Sequence, residues 1–277
     1  MCIRDRWNDG GFFPNGLMGF LGGFQIAFFA FVGIELVGTA AAETKDPCTT
    51  LPKAINAIPV RLALFYVLAL LAITAVIPWR KVVPGVSPFV SLFGLAGFGA
   101  AASVMNFVLL TAAASSDNSG LYSTSRMMYG LALDSQAPSR FRKLSSNNVP
   151  RNALVASCLL LLCGITFLYT SDSIMQAFAL VTTVAALLFL FTWSLIVVCY
   201  IVYRHKRPQL HNESVYKMPG GVPMCWVVLA FFATSLVILT LDPTTRIAVL
   251  ITPIWFAFIG AMYFVYRRRE QHKEALR

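Results

Sequence analysis

The sequence predicts an all-α, polytopic membrane protein with seven transmembrane helices, and three observations carry that prediction. Of 277 residues, 57% are hydrophobic and only 12% are charged, with mean hydropathy +0.70; a water-soluble domain carries about 25% charged residues. The apolar residues gather in runs of about 20, the length a helix needs to cross a bilayer. The basic residues gather in alternate loops between those runs, the pattern that orients a protein in a membrane. The net charge of +10 therefore reports orientation, and a basic nucleic-acid-binding face is excluded.

Residues 1–10 are expected to be a loop or a non-native run. MCIRDR has neither the apolar stretch nor the cleavage site of a signal peptide. The first span, Leu17–Ala42, is expected to be interrupted near Gly33. It carries Glu35 about 10 Å inside its far end, at about 1.5 Å rise per residue. A charge in hydrocarbon costs at least about 2.5 kcal/mol, so it needs a partner, a proton or a water-filled cavity. Gly33, behind Phe28, Phe29 and Phe31, lets the backbone leave helical geometry cheaply. An interrupted helix with an ionisable group at mid-depth suits a transporter site. A protonated Glu35 that packs by hydrogen bonding to a neighbouring helix is the structural alternative.

The polar stretch ETKDPCTTLPKA follows, with Pro47 and Pro52 read as ending the first helix. The second span is Ile58–Ile77, closed by Pro78 and the interfacial Trp79. The third, Gly97–Ser119, is rich in small residues that permit close packing, and Asp117 and Asn118 lie near its far end. An amphipathic run, LYSTSRMMYGLAL, is expected to lie on the membrane surface. The fourth span is Ala153–Tyr169, followed by a turn at Asp172. The fifth is Ile174–Tyr203, the sixth Val222–Leu241, ended by Asp242 and Pro243, and the seventh Ile247–Tyr266.

Seventeen of the 22 Lys and Arg residues fall on one side of this layout, including Lys45, Arg61, Arg140, Arg142, Lys143, Arg204 and Arg267. Five fall on the other: Arg4, Arg6, Arg80, Lys81 and Arg246. The richer side is cytoplasmic, so the chain is expected to start outside and end inside. An outside start without a signal peptide is expected if an odd number of spans precedes Leu17. The six cysteines form no C-x-x-C pair, and the three histidines lie in basic loops or the tail, so neither a disulfide framework nor a metal site is expected.

Four stretches carry a family resemblance. They are FAFVGIELVGTAAAETKDP at 29–47, the NSGLYSTSRM run Asn118–Met127, SVYKMPGG, and MCW at Met224–Trp226. In this order and spacing they resemble the amino-acid permeases of the amino acid–polyamine–organocation superfamily, over nearly the whole chain after its first ten residues. The resemblance implies a LeuT-like inverted-repeat transporter of twelve helices, with these seven spans as helices 6–12. Residues 11–203 would form the second five-helix repeat. Residues 204–277 would form two additional helices and a basic cytoplasmic tail. Five N-terminal helices would be missing, and their first would hold the substrate's carboxylate.

The resemblance further implies that freed carbonyls around Phe29, Ala30, Phe31, Val32 and Gly33 hold the ammonium group. Glu35 would act in the inner gate or in proton coupling, and Asn118 and Ser119 would line the site. The implied activity is import of small neutral amino acids (D-alanine, D-serine, glycine) by proton symport across a bacterial inner membrane. No cofactor, metal, nucleic acid or enzymatic role is implied. Asp117 departs from the family pattern and reads as a carboxylate reaching water near the helix end. Two alternatives remain: a permease of the same family with another amino-acid substrate, and a seven-helix receptor-like protein. An intramembrane enzyme would need a nucleophile with a base, paired acids or metal ligands at matching depth, and Glu35 stands without an intramembrane histidine.

Overall fold

The computed structural model describes residues 13–275, apart from 40, 42, 43, 84, 98, 171, 172 and 242. The MCIRDR run, Ala42 at the end of the first expected span, and the turns at Asp172 and Asp242 lie outside the described residues. Every regular element among the described residues is helical. In chain order the α-helices are α1 Gly16–Gly22, α2 Phe24–Ala30, α3 Leu36–Thr39, α4 Pro47–Val76, α5 Pro88–Leu95 and α6 Gly99–Leu133. They continue with α7 Arg151–Thr170, α8 Ile174–Lys206, α9 Pro208–Glu213, α10 Gly221–Leu241 and α11 Pro243–Ala275.

Four of these contain a continuous segment long and apolar enough to cross a membrane: Pro47–Val76, Gln176–Lys206, Gly221–Leu241 and Thr245–Arg268. The expected first span is instead cut into α1, α2 and α3. The fourth, α7, has a shorter apolar part, Arg151–Thr166. The chain is thus an all-α polytopic membrane protein, in which four of the seven expected spans are met by a single long apolar helix.

Two boundaries differ from the sequence reading for identifiable reasons. Pro47 and Pro52 do not end a helix; Pro47 opens α4 and Pro52 lies inside it, with Pro59 after it. Proline is preorganised for a first turn, where its missing N–H costs nothing. The run 121–133 is not a separate surface helix, because α6 runs without interruption from Gly99 to Leu133. α6 stops where Arg142 reaches back, donating to the carbonyls of Ala132 and Leu133 and to Ser135. A cation on the final carbonyls closes a helix favourably.

Several Ser and Thr hydroxyls inside the apolar helices are satisfied within their own helix. Thr74 donates to Leu70 at 2.6 Å, Thr183 to Ala179 at 2.6 Å, Ser194 to Leu190 at 2.7 Å and Ser235 to Phe231 at 2.8 Å. A polar group without water must find a partner nearby, and the carbonyl one turn back is within reach.

α8 is the centre of the packing. It touches α2, α7, α9, α10 and α11. The core forms where Ala186, Leu187 and Leu190 of α8 meet Phe28, Leu239 and Ala248. A second group joins α5, α6 and α7, while α3 packs against α6 and α4. The accessible surface is 19967 Å², against about 12,000 Å² for a compact water-soluble chain of this mass. Helices apolar on all sides, with their side chains facing outward, suit a hydrocarbon surrounding.

Candidate functional site

The break in the opening apolar run builds the site. α2 ends at Ala30, and its last turn tightens into three-residue bonds, Phe31 N–H to Phe28 at 3.2 Å and Val32 N–H to Phe29 at 3.2 Å. Gly33 then adopts φ +106°, a conformation that side chains with a Cβ rarely reach. α3 starts at Leu36, whose N–H bonds the Gly33 carbonyl at 3.2 Å.

Glu35 closes the break from within. The Gly33 N–H donates to both of its carboxylate oxygens, at 3.1 Å to Oε1 and 3.2 Å to Oε2. The indole Nε1 of Trp193, on α8, donates to Oε2 at 3.3 Å. The carboxylate thus replaces a helical carbonyl that the interrupted backbone cannot supply, and it anchors the break to the central helix.

On the other flank, the Tyr66 hydroxyl of α4 donates to the Ala30 carbonyl at 2.6 Å. The rings of Tyr66 and Phe31 lie 5.7 Å apart. Beyond the break, Ser123 of α6 donates to Thr39 Oγ1 at 3.0 Å, and Thr39 donates to Leu36 at 2.8 Å.

A cleft of about 410 Å³ opens beside the unwound residues, lined by Ala30, Val32, Gly33, Tyr66, Arg61, Ser116 and Ser119 among others. That size suits a small ligand. Ser119 Oγ donates to Ser115 at 3.0 Å. A larger cavity of about 670 Å³ lies away from the break, between the end of α4 and α5, around Val83 and Pro88. It carries little polar chemistry beyond Lys81 and Ser91.

Of the residues expected at the site, Ala30, Val32, Gly33 and Ser119 meet at the cleft. Asn118 is not among its lining residues, and Glu35 turns toward α8. Phe29 and Phe31 are partly exposed, at 37% and 40%. Phe28 faces the core, 5.9 Å from the Phe231 ring. Sequence reasoning missed Tyr66, Trp193, Ser116 and Arg61. Ser116 could have been found from its spacing, three residues before Ser119 on one helix face. The tyrosine and tryptophan carry only the general signal that buried aromatic N–H and O–H groups seek partners. No group of three His, Cys, Asp or Glu side chains suited to a metal occurs among the described residues.

Comparison with known proteins follows the same direction. The amino acid permease family model matches residues 2–276. The chain is 57% identical to the D-serine/D-alanine/glycine transporter of Escherichia coli (strain K12) over 264 residues, which cover 95% of the chain and 56% of that protein. It is 47% identical to the amino-acid permease AapA of Bacillus subtilis (strain 168), over 96% of the chain and 57% of the relative. With the L-asparagine permease of Escherichia coli (strain K12) identity is 37%, over 95% of the chain and 52% of the relative. The chain therefore spans a little over half the length of these relatives. No solved structure matches it.

Proposed function

The chain belongs to the amino acid permease family, and on that premise we propose that the protein imports small neutral amino acids, D-alanine, D-serine and glycine, by proton symport. The carrying observation is the break at Gly33, with its cleft on one side and the capped Glu35 carboxylate on the other.

A zwitterion in a membrane cavity must have both charges met, because an unmet buried charge costs several kcal/mol. In this reading the C-terminal end of α2 meets the positive charge. A helix ends with its carbonyls and negative dipole pole outward, which suits an ammonium. Phe29, Ala30, Phe31, Val32 and Gly33 supply that end, and Ser119 lies across the cleft. Glu35, facing away from the cleft, gates or couples to the proton and does not touch substrate. Asn118 stands one residue from the lining and keeps a secondary role.

Residues 11–203 are assigned to one inverted repeat of the transporter, and 204–277 to two further helices with a cytoplasmic tail. The membrane is a bacterial inner membrane, and the role is transport without a chemical reaction. The substrate choice draws on identity, 57% with a relative named for D-serine, D-alanine and glycine and 37% with one named for L-asparagine.

The test is uptake of labelled D-alanine by the full-length protein reconstituted into vesicles with an imposed proton gradient. Accumulation that collapses with a protonophore is expected. Uptake of L-asparagine alone would leave the family and remove the substrate assignment. Accumulation that ignores the protonophore would remove the proton.

A further inference from the structure

We propose that the Tyr66 hydroxyl is a stand-in for the substrate's ammonium group: it holds the Ala30 carbonyl between transport cycles and gives it up when an amino acid enters. This rests on the reading above, in which carbonyls at the break receive the ammonium.

The geometry supports an exchange. Ala30 closes α2, so its carbonyl is freed by the break, and the Tyr66 hydroxyl sits 2.6 Å from it. The neighbouring carbonyls of Phe31 and Val32 accept no hydrogen bond among the described residues. Tyr66 and Ala30 line the same cleft, so a ligand that reaches the carbonyl meets the hydroxyl. Among aromatic neighbours in the described residues the Tyr66 ring leans on Phe31 alone.

The direction of exchange follows from bond strength. An ammonium offers up to three donors to these carbonyls, and hydrogen bonds to an ionised donor are about twice as strong as neutral ones. The hydroxyl is one neutral donor and loses the competition when the ammonium arrives. When the substrate leaves, its return spares the carbonyl from standing unpaired in an apolar setting. Tyr66 thus weakens binding and speeds release, and it favours ligands whose amine retains its N–H groups.

Tyr66→Phe tests this, because it keeps the ring and removes the donor. In the full-length protein, glycine should bind about three- to eighteenfold more tightly, the range given by one intramembrane hydrogen bond no longer lost on binding. KM and maximal uptake rate should fall together, since release loses its competitor. In the wild type, glycine binding should shift the ultraviolet tyrosine band, and the shift should vanish in Tyr66→Phe. A wild-type protein that binds glycine without any tyrosine shift overturns the inference, as does a Tyr66→Phe protein with unchanged or weaker glycine binding. A wild type that binds none of glycine, D-alanine and D-serine overturns the substrate reading, and this inference with it.

Discussion

The indole N–H of Trp193 donates to Glu35 Oε2 across 3.3 Å, joining positions 158 residues apart. The carboxylate is shared between its own break, through Gly33, and the helix at the centre of the packing. Protonation turns one acceptor oxygen into a donor, so the two N–H groups facing it cannot both keep their bonds unchanged.

The first prediction follows from that sharing. Trp193→Phe keeps an aromatic ring against Phe232 and Phe189 but removes the N–H. It should lower stability by about 0.6–1.7 kcal/mol, the scale of a hydrogen bond within a membrane protein. Glu35→Gln retains an oxygen for Gly33 and Trp193 but cannot take up a proton. It should bind substrate while losing accumulation against a gradient. For the coupling itself Glu35→Ala, which removes the acceptor, is paired with Trp193→Phe: that double variant should cost less than its two singles added, and thermal unfolding in detergent measures this. Strict additivity would show that the bond carries no energy.

A second prediction concerns Gly33. Space is not the obstacle to a methyl group there, since the nearest side-chain atom, Leu36 Cδ1, would lie 4.0 Å from an added Cβ. The obstacle is φ +106°. Gly33→Ala should cost about 1–2 kcal/mol in backbone strain. If the strain falls on the binding-competent conformation, affinity drops about 5- to 30-fold. Glycine titrations of the two proteins provide the comparison.

pH acts at a third place. His211 of α9 is 7% exposed and lies edge-on to the rings of Tyr200 and Tyr203. Burial first, then the charges of Arg204 and Lys217, push its imidazole below the ordinary 6.5. Above that value the ring is neutral whether α9 is docked or released, and docking is at full strength. As pH falls through 6.5, the released form takes up a proton before the docked form does. Docking therefore weakens until the lower, docked value is passed. Hydrogen exchange of the α9 amides should quicken as pH drops below about 6.5, after correction for intrinsic exchange rates. His211→Gln should flatten that dependence.

Orientation provides a fourth prediction. Lys143 is exposed in the basic loop between α6 and α7. In a background without the native cysteines, Lys143→Cys should react with an impermeant thiol reagent only after cells are opened. Labelling of intact cells would place this loop outside and reverse the topology.

The break itself was legible in the sequence because glycine and a carboxylate are conspicuous inside an apolar run. The start of α4 was misread because Pro47 and Pro52 signal a helix end only when the chain ahead of them is already helical. The partners of the break were not legible. Tyr66 and Trp193 reach it from 36 and 158 residues away, and an apolar helix such as α8 has no polar face to reveal which way its indole points. Ser119 was found at the cleft while Asn118 was not, because neighbours on a helix point about 100° apart, and a motif does not specify the face.

The two bonds at the break run crosswise. α2 packs on α8, yet its terminal carbonyl is tied to Tyr66 of α4. α3 packs on α4 and α6, yet the carboxylate just before it is tied to Trp193 of α8. Residues 31–35 are therefore a seam between two blocks of helices, laced by one stitch in each direction. Any slip of one block past the other must stretch both stitches or carry them along. An ammonium arriving at Ala30 and a proton arriving at Glu35 would each loosen a different one.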